Sequence, residues 1–155
     1  MKPPMLPSLF VSHGSPMHAL EPGPAGEAWA ALGRRIGKPR AIVIASAHWE
    51  TDRPLLTGAA QPQTIHDFYN FPEPLYRLRY PAPGAPQLAL QAKALLKDAE
   101  IDPQRGLDHG AWAPLLYMYP DADVPVVQLS LQPALGPRHP FEVGKALRPL
   151  RDENV

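Results

Sequence analysis

Two histidines stand at the ends of apolar runs. Leu9-Phe10-Val11-Ser12 leads into His13 and then Gly14-Ser15-Pro16; Ala41-Ile42-Val43-Ile44-Ala45-Ser46-Ala47 leads into His48, Trp49 and Glu50. Imidazole nitrogen suits zinc, iron, copper and nickel. In open α/β sheets ligands bind beyond the carboxyl ends of the strands, so two strand-end histidines on one rim would begin a metal site. A lone strand-end histidine is more often a loop residue bonded to backbone, and it is the repetition of the pattern that makes the metal reading competitive. Glu50, two residues past His48, is a candidate third ligand or supporting carboxylate, with a solvated turn residue as the plainer alternative. Asp108-His109-Gly110 sets a third histidine in a glycine-flanked loop, where a side chain titrating near neutrality can move protons. His66-Asp67 opens an aromatic stretch with Phe68, Tyr69, Phe71 and Tyr76. That stretch suits either a pocket for a planar substrate or a loop packing on itself. His18 and His139 have no supporting context, and His139, between Arg138 and Pro140, is expected at the surface.

The elements that must position these residues follow from periodicity and breakers. Strands are expected at 8–12, 41–47, Leu55–Thr57 and Val124–Leu131. The 41–47 run is apolar throughout, as a strand buried on both faces should be. Helical spacing of Ala25, Ala28, Trp29, Leu32 and Ile36 predicts a helix over 22–37, and Leu88, Leu90, Ala92, Leu95 and Leu96 predict one over 84–99. Shorter helices are expected at 112–119, started near Pro114, and at 140–150. Residues 64–80 carry several prolines, which remove donors and clash in a helix interior, so an ordered loop with one helical turn is expected there. Residues 106–110 read as a loop. Strands alternating with helices imply an α/β fold with a mostly parallel sheet and helices on both faces. The whole of 1–155 reads as one domain, without internal repeats.

Composition narrows the classes. Fifteen basic residues balance fifteen acidic ones, so no strong field favours nucleic acid or an anionic membrane. The absence of cysteine excludes disulfides, thiolate metal sites and cysteine nucleophiles. No apolar run approaches the ~20 residues that span a bilayer, and the lead Met1-Lys2-Pro3-Pro4-Met5-Leu6-Pro7 lacks a signal-peptide core; a cytoplasmic location is expected. Proline, at 22 of 155 residues, is spread between apolar segments and reads as rigid loop positions. There is no GxGxxG, no phosphate-binding loop, and no G-x-S-x-G around Ser12 or Ser15.

Six segments occur in order: Ser12-His13-Gly14-Ser15-Pro16-Met17, Ser46-Ala47-His48-Trp49-Glu50-Thr51, Thr64-Ile65-His66-Asp67-Phe68-Tyr69, Tyr80-Pro81-Ala82-Pro83-Gly84, Leu107-Asp108-His109-Gly110-Ala111-Trp112 and Val124-Pro125-Val126-Val127-Gln128-Leu129-Ser130. Together they resemble the class III extradiol ring-cleavage dioxygenases, in particular the DOPA-4,5-dioxygenase-like branch of the LigB superfamily, from about residue 8 onward. The resemblance implies a non-haem Fe(II) enzyme that opens a catechol ring with O₂, with zinc as a substitute metal in isolated protein. It assigns His13 and His48 as metal ligands and His109 as the proton-moving histidine. His66, Phe68, Tyr69 and Trp49 become the expected substrate pocket. It also implies a third metal ligand, typically a histidine, from a later strand-end segment that residues 140–155 do not match. The C-terminal strands of the family fold are therefore expected to be missing, leaving an open sheet edge through which chains could pair as a homo-oligomer. Two other readings use the same residues: a zinc-dependent hydrolase on the same histidines, and a non-catalytic metal- or partner-binding module of the same fold.

Overall fold

The computed structural model describes residues 5–155. Its sheet has four strands, β1 (Ile42–Glu50), β2 (Leu55–Thr57), β3 (Glu100–Asp102) and β4 (Val126–Leu131), in the order β1-β4-β2-β3. β1 runs parallel to β4, and β2 parallel to β3. β4 and β2 meet antiparallel through Leu56 and Leu129. The sheet is thus mixed, with two parallel pairs joined by one antiparallel seam. Five helices surround it: α1 (Gly23–Ile36), α2 (Glu73–Arg77), α3 (Pro86–Leu95), α4 (His109–Met118) and α5 (Arg138–Leu147).

Alternation along the strands divides the core. Ile42, Ile44 and Val126 face one layer, with Trp112, Leu115, Leu107 and Tyr80. Val43, Val127 and Leu129 face the other, with Leu56, Leu88, Ala92 and Leu150. Successive strand side chains point to opposite faces, so these central strands carry apolar residues toward both layers, with Ser46, Gln128 and Ser130 as buried polar exceptions, and helices cover both sides as the sequence predicts. α1 packs on α4 closely enough that a Cβ at Gly33 would sit 2.2 Å from the Met118 carbonyl oxygen. Only glycine permits that approach.

Several expectations shift. The segment 8–12 forms no strand. It is tied at its start, where the Leu6 N–H donates to the Arg151 carbonyl at 3.3 Å. Leu9 and Phe10 are exposed, Phe10 fully, and an extended run without a ladder partner has nothing to hold it as a strand. α4 begins at His109 rather than near Pro114, which lies inside it; the proline removes one donor, while capping at the helix start (below) offsets that loss. α3 is shorter than 84–99 because the chain turns back through Asp98 at φ 55°. The short strand β3, unexpected from its Glu-Ile-Asp sequence, exists because it pairs with β2. The single helical turn expected in 64–80 is α2. His139 is half-buried, its Nε2 3.0 Å from the Gln132 Oε1. The lead Met1–Pro4 lies outside the described residues. Among the described residues no helix is long and apolar enough to cross a membrane.

Candidate metal centre

His48 lies near the end of β1, in a register slip. Ala45 pairs with Leu129 and Glu50 with Leu131, five residues against two. The surplus residues bulge out, and bulges re-aim side chains. The Ser46 hydroxyl holds the bulge by accepting the His48 N–H at 3.1 Å. His13 arrives on the extended N-terminal segment, just before Gly14 (φ 59°) and a short 3₁₀ turn, Pro16–Ala19, capped by Ser15. His109 is the first residue of α4 and is almost completely buried.

These three elements bring three imidazoles to one point. The Nε2 atoms of His13 and His48 are 2.8 Å apart. The His48 and His109 ring centroids are 4.2 Å apart, and those of His13 and His109 5.1 Å. One ligand nitrogen from each ring falls within 4.8 Å of the others. Imidazoles ligating one cation at about 2.1 Å stand about 3.0 Å apart when their bonds meet at a right angle. The donors and their spacing therefore fit a divalent metal. Burial, followed by the neighbouring His109 and His48, holds His13 below the usual histidine pKa. The neutral form is the one that ligates.

A carboxylate backs this cluster. Asp67 Oδ1 accepts the backbone N–H of His109 at 2.9 Å, so the aromatic loop supplies the anion at the start of α4. The same oxygen lies 2.9 Å from His109 Nδ1, and Oδ2 lies 3.9 Å from His48 Nδ1. In this conformation the His109 Nδ1 direction misses the oxygen, leaving that nitrogen without a directed partner. Burial alone would raise the Asp67 carboxyl, but His109, through its close ring and its backbone N–H, outweighs it and holds the group below its ordinary value. In the sequence Asp67 stands out only as a neighbour of His66; nothing in its spacing links it to a histidine 42 residues away.

Below the cluster a second polar group is sealed in. Gln128 on β4 donates to Asp108 Oδ2 at 2.5 Å and accepts the Asp108 N–H at 3.2 Å. Arg105 reaches the same carboxylate at 3.4 Å and stacks over the buried Trp49 ring at 5.1 Å. Trp49 is thereby turned into the protein. Phe68 is buried with its ring 5.5 Å from that of His109. Tyr69 projects into solvent. His66 stands behind Phe68, its Nε2 2.9 Å from the Leu78 carbonyl. Glu50 is exposed and not part of the three-histidine group. His18 packs on Trp29.

Residues 7–155 match the family model of the catalytic LigB subunit of aromatic ring-opening dioxygenase. A 4,5-DOPA dioxygenase extradiol of Beta vulgaris is 45% identical over 156 residues, 96% of this chain and 58% of that protein. The protein of the same name from Escherichia coli K12 is 44% identical, with 97% and 56% covered. The crystal structure of an uncharacterized Escherichia coli K12 protein superposes with a TM-score of 0.68 at 39% identity, over 83% of this chain and 49% of that one. The chain thus spans somewhat under three-fifths of the length of the curated relatives it matches.

Proposed function

The chain belongs to the LigB family of aromatic ring-opening dioxygenases, and we propose that it carries the metal-binding half-site of an extradiol enzyme that opens a DOPA-like catechol with O₂. The observation that carries this reading is the convergence of His13, His48 and His109 in front of Asp67. His13 and His48 would hold Fe(II), which would supply the Lewis acidity that favours an ionised catechol and a common binding point for ring and O₂. His109, buried beside them, takes a catechol proton and returns one as the ring opens. Phe68 and Tyr69 flank the approach of the planar substrate, with His66 behind them. The burial of Trp49 favours a packing role for that ring over substrate contact. The open edge of β1, with exposed Ala45, Ala47, Leu9 and Phe10, supports pairing between chains. A cytoplasmic setting fits a small-molecule oxygenase.

A second reading has a specific observation behind it: the His109 ring lies 4.2 Å from His48 and 5.1 Å from His13, which are 4.8 Å apart, so it could serve as the third nitrogen ligand. Co(II) titration of the metal-free chain and its His48→Ala and His109→Ala variants, with oxygen uptake on a catechol panel after Fe(II) loading, tests both. His48→Ala is expected to lose metal and uptake together. His109→Ala is expected to keep its metal and lose uptake; loss of both would make His109 a ligand. Uptake by His48→Ala equal to that of the unaltered chain would refute the metal centre.

A further inference from the structure

Asp67 faces the Nδ1 atoms of two of the three histidines with the two oxygens of one carboxylate. His48 meanwhile turns its Nε2 toward His13. We infer that Asp67 is a positioning residue that sets the tautomer and ring angle of both His48 and His109, keeping protons on Nδ1 and lone pairs on Nε2, where the cluster needs them. The inference rests on the metal-centre reading above.

The carboxylate is firmly placed. Ile65, two residues earlier, donates its N–H to the Leu107 carbonyl at 2.8 Å and accepts the Trp112 indole N–H at 2.8 Å. Thr64 bridges to Leu107, and Phe68 is buried on the other side. The loop is thus pinned to the chain leading into α4 and to α4 itself. The bond from the His109 main chain ties the carboxylate to the start of α4, within reach of the His109 ring. The misdirected Nδ1 of His109 is 2.9 Å from an acceptor, so a small ring rotation would complete the bond. Catalytic hydrogen bonds often tighten in this way once a site is loaded. Histidine ligands usually give their second nitrogen to such a carboxylate; here one carboxylate faces two rings, 2.9 Å from His109 Nδ1 and 3.9 Å from His48 Nδ1.

The competing role is a helix cap alone. Asp67→Asn separates the two, because asparagine caps as well as aspartate. It keeps an oxygen for the His109 N–H while losing the charge and facing His48 with an amide. The test uses the full chain, Co(II) absorption titration, and nitrogen-15 histidine spectra of the metal-free protein. Asp67→Asn is expected to weaken Co(II) binding about 10- to 100-fold and to shift the His48 and His109 signals away from the Nδ1-protonated pattern, with a melting temperature near that of the unaltered chain. Unchanged affinity with unchanged tautomers would overturn the inference. If the unaltered chain itself bound no Co(II), the metal-centre reading would fail, and the metal-free spectra alone would still decide the role of Asp67.

Discussion

Replacing Gly110 with alanine sets two effects of opposite sign against each other. Gly110 is the second residue of α4, and alanine in a helix is favoured over glycine by about 0.5–1 kcal/mol. Against this, the new Cβ would lie 2.3 Å from Ser46 Oγ, 3.0 Å from His48 Cδ2 and 3.2 Å from Asp108 Oδ1. Ordinary contact needs about 3.5 Å or more, so the serine oxygen must retreat by over 1 Å. It cannot do so freely, because Ser46 is buried and holds the His48 N–H. Rotating it away loses a hydrogen bond worth about 1 kcal/mol; moving backbone instead brings overpacking of about 1–3 kcal/mol. The net is a loss of up to about 2.5 kcal/mol, or up to roughly 5–10 °C in melting temperature for a chain of this size. Either escape displaces His48, so Co(II) affinity should fall as well. Urea unfolding of metal-free protein and Co(II) titration measure the two losses separately. Adding Ser46→Ala should recover part of the stability, with a coupling of about 1 kcal/mol. A Gly110→Ala protein that is more stable than the parent and binds Co(II) equally well would refute the packing account.

Two further substitutions probe the layers beneath the cluster. Tyr80 is buried and donates its hydroxyl to the Tyr119 carbonyl at 2.9 Å, so Tyr80→Phe should cost about 1–2 kcal/mol at neutral pH. Burial, with smaller effects of Asp123 and Tyr119, pushes the Tyr80 phenol well above its usual pKa. The unfolded chain therefore ionises first. The stability tied to this proton is complete below about pH 10 and declines above it, and Tyr80→Phe should show a shallower alkaline decline in urea midpoint; equal slopes would exclude Tyr80 as the cause. Gln128→Leu would strip the buried Asp108 of its amide donor and of the acceptor for its N–H, leaving Arg105 at 3.4 Å. Uncompensated buried carboxylates cost about 3–5 kcal/mol, and a loss under about 1 kcal/mol in denaturant titration would show that Arg105 alone suffices.

What the sequence made legible was local. The β1 run and the α1 stripe could be placed because periodicity and apolar continuity are properties of neighbouring residues. Both strand-end histidines could be placed for the same reason. The five-against-two slip that aims His48 could not, because it depends on β4, some 80 residues away. The 8–12 segment has the composition of a strand, yet composition supplies no ladder partner. Asp67 was hidden for a related reason: its function comes from the pinning of its loop against α4 through Trp112 and Leu107, and no spacing rule encodes that. The resemblance to the extradiol family supplied His109 as a chemical partner, but not its distance from the other two rings.

The three rings are not equally supported, and this bears on how the centre would behave. The His48 main chain is held by the Ser46 hydroxyl and the His109 main chain by Asp67, with the His109 ring buried and the His48 ring exposed. His13 rides on a segment whose Leu9 and Phe10 lie open to solvent and which pairs with no strand among the described residues. His13 is also the ring whose proton affinity falls through burial and two neighbouring imidazoles. A divalent cation held among the three would tie the N-terminal segment to the end of β1. The two rings carried by β1 and α4 then set the geometry of the centre, and the N-terminal segment supplies its third nitrogen.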